Sequence, residues 1–317
     1  MANLLDEASI LLTATAYNNG SMLAVKPENG DGDFTFSRNS AATRVNAQGL
    51  VENVQILSSN LVSNGDFSQE GAEQVTAFTN GTTYPFSTFT SLDNNITSAI
   101  INSNFAGCVS NSISVTSSQT YKVSFNYTKN SGDNLRVVFS SSVSGAGSQT
   151  SNSELVSTSG SITLYLTISS SGTSYLQLGT SSGSASIDFS ITNISVKEVG
   201  QDWTLGTGWS IGENKALYNG VSEPYLYSLS PVNIAVSDKL KITFVLDSNA
   251  KLRFVNENGS RFSGTWVLYA SGTHEVYLTS SIVATQIGVQ ADTDNGAFGI
   301  TNISVIEITD DTNLPRI

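Results

Sequence analysis

Apolar and polar residues alternate with period two along much of this chain. In YKVSFNY, Tyr121, Val123, Phe125 and Tyr127 fall on one face and Lys122, Ser124 and Asn126 on the other, the pattern of a half-buried strand. NSG at 130–132 then predicts a hairpin turn, with LRVVF as the returning strand. Further on, KLKITFVLDSNAKLRFV repeats TYKVSFNYTKNSGDNLRVVF, with Phe244 in the place of Phe125 and Arg253 in the place of Arg136, and VYLTSS repeats LYLTIS. FSITNISVKEV, residues 189–199, returns as FGITNISVIEI, residues 298–308, with Ile191 and Ile300 109 positions apart. One repetition at domain length predicts two copies of a folding unit that end in the same strand.

The offset is 119 at the central strand, so the first copy carries about ten more residues, an insertion that surface loops absorb. Many short strands without helical periodicity predict an all-β chain of two tandem jelly-roll β-sandwiches; a propeller would need more and shorter repeats. The expected division is an N-terminal segment at 1–59, sandwiches at 60–200 and 201–309, and a tail at 310–317. In the first segment, NLLDEASILLTA predicts a short helix from about Leu4, with Leu4, Leu5, Leu11 and Leu12 on a shared face. DFTFSRNSAATRV predicts a strand from Asp33 and a polar turn, and AQGLVENVQIL a turn at Gly49 leading into another strand. So small a segment holds little core of its own and is expected to lean on a sister subunit or a larger partner.

Composition narrows the function. Charged residues make up only 13% of the 317 positions and the formal net charge is −12, which argues against a nucleic-acid groove and a basic membrane-surface patch. The Ser, Thr and Asn-rich surface is of the extracellular type, yet Asp6 and Glu7 precede the first apolar run, no basic n-region stands before it, and no run approaches a membrane helix in length. The single cysteine, Cys108, excludes an intramolecular disulfide and reads as a small buried hydrophobe. Such a surface fits assembly in a bacterial cytoplasm and release by lysis.

Two resemblances follow from particular residues. NLVSNGDFSQEG at 60–71, above all Asn64, Gly65, Asp66 and Phe67, with the tryptophans that open the second copy and the closing ITNISVKEV, resembles carbohydrate-binding modules of families four and nine and related galactose-binding-like jelly rolls. That family closes on paired acidic residues, where this chain has Thr192 and Asn193, and Thr301 and Asn302. The structural calcium held near those ends by many members is therefore in doubt here. GDFTFSRNSAATRVNAQGLVENV at 32–54 and NLPRI at 313–317 resemble bacteriophage fibre and other virion structural proteins, especially those of phages of Bacteroidetes and marine bacteria. This second resemblance implies a virion context and a homo-oligomer, most commonly a trimer.

For chemistry, the one histidine, His274, has no Ser or Cys motif beside it and reads as a turn residue, and no phosphate loop or Cys/His metal spacing occurs. Asp292 with Asp294, and Asp31 with Asp33, sit in Gly/Asn-rich turns that favour backbone capping; calcium suits such carboxylates better than glycoside hydrolysis does. Sugar binding needs an aromatic platform with polar groups around it. All three tryptophans, Trp203, Trp209 and Trp266, lie in the second copy, and Tyr225 and Tyr227 alternate around Leu226; these five are the glycan-binding candidates, with Trp209 and Trp266 also read as core residues. The expectation is a non-enzymatic virion protein, a head or tail fibre or decoration, with capsid or tail proteins and host glycans as partners. The alternatives are a structural spacer or capsid cement and, behind them, a polysaccharide depolymerase.

Overall fold

The computed structural model describes residues 58–310 apart from short gaps at 94, 103–105, 145–148, 181–185, 222–224 and 263, together with the strands between residues 11 and 57. Four antiparallel sheets form two β-sandwiches. In the first, one sheet runs Gly160–Thr167, Thr120–Gly132, Ser186–Val199, Asn95–Asn102, Thr88–Leu92, and the facing sheet runs Gln149–Val156, Leu135–Ser140, Gly172–Gly179, Gly107–Ser110, Phe78–Asn80. The second repeats that order strand for strand. One sheet runs Gly272–Thr279, Lys239–Leu246, Phe298–Asp310, Lys215–Tyr218, Trp209–Gly212, and the facing sheet runs Val267–Tyr269, Ala250–Asn256, Ile287–Ala291, Tyr225–Ser228, Trp203–Leu205. The two copies expected from the sequence are thus present, with Phe125 and Phe244 on matching central strands. No helix among the described residues is long and apolar enough to cross a membrane.

Alternation builds the cores as expected. Tyr121, Val123, Phe125 and Tyr127 point into the first core, joined by Phe139, Leu176, Leu178 and Phe189. Leu240, Ile242, Phe244 and Leu246 do the same in the second, with Leu252, Phe254 and Phe298. Cys108 is fully buried among the first set, and burial pushes its thiol well above the ordinary range.

The repeated ITN explains itself. Asn193 (φ 55°) and Asn302 (φ 52°) adopt the left-handed conformation that Asn tolerates better than other non-glycine residues. At each, the pairing with the central strand slips by one residue, between Ser124 and Asn126 in the first copy and between Thr243 and Val245 in the second. Both copies therefore carry the same bulge opposite their central phenylalanine.

Two local expectations are corrected. NSG at 130–132 does not close a hairpin: Ser131 and Gly132 stay paired with Asp188 and Ile187, and Leu135–Ser140 lies in the facing sheet. Gly132 (φ 88°) makes this corner, where a Cβ would sit 1.8 Å from the Ser186 carbonyl oxygen. At the N-terminus, Leu11 and Leu12 begin a strand, Leu11–Asn18, paired with Ser21–Lys26, instead of finishing a helix; the β-branched threonines of LLTATAYN favour it. The rest of the expected helix lies outside the described residues, as do Asp31, Asp33 and NLPRI. Thr43–Val45 and Val51–Asn53 pair across the turn expected at Gly49.

The opening NLVSNGDF segment, read with the first copy in the sequence, docks on the second. Gln55–Leu57 pairs with the end of Phe298–Asp310, and the Ser58, Leu61 and Ile303 amides donate to the carbonyls of Glu307, Val305 and Gly65. At Gly65 a Cβ would lie 1.9 Å from the Ile303 carbonyl oxygen, so only glycine fits. Val62 and Phe67 are buried in the second core, with the Phe67 ring 5.1 Å from that of Trp203. The chain then crosses over: Glu70–Glu73 pairs with Ser186–Val199, the place that Gln55–Leu57 takes on the second sandwich. The first sandwich is inserted between the opening strand of the second and the remainder of that sandwich.

Candidate functional site

The outward face of the sheet Trp203–Leu205, Tyr225–Ser228, Ile287–Ala291, Ala250–Asn256, Val267–Tyr269 gathers tyrosine, glutamine, arginine and tryptophan side chains. Period two sets it up. Leu226, Val289, Leu252 and Phe254 face the core, so Tyr225, Tyr227, Gly288, Gln290 and Arg253 face away from it. Strand register then lines three of them up, Tyr225 opposite Gln290 and Gln290 opposite Arg253. Adjacent strands lie roughly 4.8 Å apart, so this row spans about 10 Å, the scale of a disaccharide.

The tyrosine rings stack, with centroids 5.3 Å apart and planes 14° from parallel. Tyr227 lies against the backbone of Gly288, where a Cβ would come within 2.4 Å of its ring. Burial, with Tyr225 and Glu257 nearby, pushes the Tyr227 phenol up to about 12, so it remains a neutral donor at physiological pH. Gln290 is fully buried and its Oε1 accepts a 2.5 Å hydrogen bond from Arg253 Nε. The guanidinium carbon of Arg253 stands 3.9 Å from the centroid of the half-buried Trp266 ring. Gln290 and Arg253 together hold a flat cation against an indole beside two stacked phenols.

Tyr225, Tyr227 and Trp266 are therefore brought to one face; Trp203, expected there, is a core residue instead, and Trp209 takes the core place that was the other reading of it. Trp203 is buried against Phe67, and its indole N–H reaches the Asn64 carbonyl at 2.9 Å and that of Ser63 at 3.2 Å. Trp209 is buried edge-on to Phe298, with centroids 5.5 Å apart, and tilted against Tyr218. Sequence reasoning missed Gln290 altogether and saw Arg253 only as the counterpart of Arg136. The available signal was a glutamine at an outward position of the apolar strand IGVQA, opposite an arginine.

The proposed calcium carboxylates have another partner. Lys251 Nζ lies 2.5 Å from Asp292 Oδ2 and 3.9 Å from Asp294 Oδ2, supplying the positive charge that a cation would bring. The hydrogen bond from Lys251 holds the Asp292 carboxyl below its ordinary range. Asn295 clamps the turn by accepting from the Lys251 amide at 2.7 Å and donating to its carbonyl at 2.9 Å. Among the described residues no group of three or more His, Cys, Asp or Glu is arranged to hold a metal. His274 packs against Phe244 and Tyr269, with its Nε2 2.7 Å from the Ala270 carbonyl oxygen.

The matching face of the first sandwich differs. By register, Gly107 and Val109 stand where Tyr225 and Tyr227 stand, and Arg136 faces Gly179 where Arg253 faces Gln290. Thr82 and Tyr84 donate across to the Val143 and Ser144 carbonyls, and the outward Val109, Val138 and Gln177 are all buried. Arg136 Nε and both amide atoms of Gln177 are buried without hydrogen-bond partners.

No protein-family model matches this chain, and no curated protein matches it. Among solved structures, a protein from Parabacteroides distasonis described as secreted is similar at 9% identity, covering 74% of this chain and 98% of that one, with a TM-score of 0.18. T=1 particles derived from infectious bursal virus give 10% identity over 81% of this chain and 74% of that one, TM-score 0.18. Procruciferin, an 11S globulin of Brassica napus, gives 8% identity over 77% and 87%, TM-score 0.15. At such scores these likenesses carry no argument, and the β-sandwich assignment rests on strand pairing and core composition.

Proposed function

We propose that this chain is a bacteriophage virion protein, a head or tail fibre or decoration protein, that presents the outward face of its second sandwich to glycans on the host surface. The observation that carries the adhesive part is the row Tyr225, Gln290, Arg253 with Tyr227 and Trp266 beside it. Apolar ring faces suit the C–H faces of pyranoses and the phenol and guanidinium groups suit their hydroxyls, while the buried Gln290 amide holds the guanidinium in place. The virion part is supported by the resemblance of residues 32–54 and 313–317 to virion structural proteins, and by an extracellular-type surface with sparse charge.

In this reading the N-terminal segment, apart from Gln55–Ser58 which completes the second sandwich, joins the chain to capsid or tail proteins and to sister subunits in a homo-oligomer, a trimer being the arrangement the resemblance implies. The protein is made in the bacterial cytoplasm and reaches the outside on the particle after lysis. No bond is broken. The first sandwich, with glycine and valine in place of the two tyrosines, acts as a spacer. Shallow single sites bind weakly, and many copies on one particle supply the avidity. The test is competition: purified full chain should block adsorption of the phage to its host, and Trp266→Ala should block far less. Equal blocking by both proteins, or none by either, contradicts the reading.

A further inference from the structure

Arg136 is a buried cation to which the first sandwich offers no counter-charge. It lies on Leu135–Ser140, whose Leu135, Val137 and Phe139 face the core, so its own side chain belongs to the outward face. The residue is 9% exposed, and among the described residues its guanidinium has no hydrogen-bond or ion-pair partner. The gaps within the first sandwich, at 94, 103–105, 145–148 and 181–185, contain no Asp or Glu. Burial alone acts on its pKa, lowering it, and no carboxylate works against that.

The second copy shows what is missing. There Gln290 stands opposite Arg253 and accepts from its Nε at 2.5 Å. In the first copy Gly179 stands opposite Arg136, and Gly107 lies beyond it. A Cβ at Gly179 would sit 2.3 Å from the Ala106 carbonyl oxygen, so glycine is required and no side chain can take the place of Gln290. On the other flank of Arg136 stands Leu155, apolar and exposed. Nε is shut off from solvent, whereas the two terminal nitrogens are not, so a partner from outside can reach them. An unpaired buried charge is costly, and paired hydrogen bonds from an anion would offset that cost.

We propose that Arg136 anchors a second binding site, on the first sandwich, for a carboxylate-bearing sugar such as a uronic acid, with both carboxylate oxygens accepting from the terminal guanidinium nitrogens. A planar carboxylate matches the guanidinium fork, and with a single charge it loses less hydration than a phosphate dianion on entering a partly buried site. The site shares no residue with the aromatic face of the second sandwich and does not depend on it.

The experiment is a nuclear magnetic resonance titration of the full chain with sodium glucuronate and, in parallel, with glucose and with glucose phosphorylated on the same carbon. Glucuronate should bind saturably and glucose at least about tenfold more weakly, the loss expected when a charge-assisted hydrogen bond is removed. The phosphorylated sugar should also bind more weakly than glucuronate. Arg136→Leu should abolish glucuronate binding and leave the chain folded, because it removes an unpaired buried cation. Arg136→Lys keeps the charge without the fork and should bind glucuronate more weakly than the wild type. Lys129→Ala, which removes a cation from the facing sheet, should leave glucuronate binding unchanged. No saturable binding by the wild type, either other sugar binding as tightly as glucuronate, wild-type affinity in a folded Arg136→Leu or Arg136→Lys protein, or loss of binding in Lys129→Ala would each overturn the proposal.

Discussion

Replacing Phe67 with alanine should destabilise the second sandwich and spare the first, although Phe67 precedes the whole first sandwich in the chain. The side chain is 1% exposed, belongs to the second core and meets the Trp203 ring at 5.1 Å. Truncation of a buried Phe costs about 3–5 kcal/mol through lost transfer energy and the cavity left behind. Phe67 sits at φ 55°, and alanine bears the same left-handed strain, so relief of strain offsets little of that cost. Hydrogen exchange read by mass spectrometry separates the two units, because each exchanges through its own opening. In the variant, peptides from Lys239–Leu246 and Phe298–Asp310 should exchange roughly 10²–10⁴ times faster, and peptides from Thr120–Gly132 and Ser186–Val199 should be unchanged. Acceleration confined to the first sandwich would refute the inserted arrangement. The same reasoning predicts that a fragment beginning at residue 201 folds poorly, since it lacks Gln55–Leu57, Val62 and Phe67.

Other consequences can be measured separately. Asn302→Gly should change the unfolding free energy little, while Asn302→Ala should cost about 1–2 kcal/mol through left-handed strain, as denaturant titration would show. Gln177→Leu should leave the first sandwich as stable or more so, because it removes a buried amide with no partner; a loss above about 2 kcal/mol would mean that the amide is satisfied. The Asp292 carboxyl is held below its ordinary value by Lys251, so its contribution to stability is present above about pH 4 and is lost as pH falls through the lower folded value. Asp292→Asn should therefore flatten the acid limb of a stability–pH profile, and an unchanged limb would argue against the ion pair.

The sequence carried the two-copy architecture because period two and a repeated closing strand are local properties: YKVSFNY and KLKITFV announce their inward faces, and ITNISV announces the strand that ends each copy. The insertion was not legible in the same way. NLVSNGDF lies next to the first sandwich in the chain, and only the approach of Gly65 to Ile303 and of Phe67 to Trp203 assigns it to the second. The hairpin misreading at NSG has a similar origin, because a polar Gly turn looks the same whether the next strand returns in its own sheet or crosses to the facing one. At the candidate site, Tyr225 and Tyr227 were visible through their alternation. The separation of Trp266 from Trp203 and Trp209 was not, since an indole suits a core as well as a surface, and which role it takes depends on partners distant in sequence such as Phe67, Phe298 and Arg253.

The adhesive role is tested most directly on a glycan array printed with bacterial surface polysaccharides and probed with the multimerised full chain and a Tyr225→Ala/Tyr227→Ala double variant. The account predicts saturable binding to a restricted set of glycans by the wild type and its loss in a double variant that still unfolds cooperatively. Binding that survives the double substitution, or a wild type that binds no glycan, would contradict it.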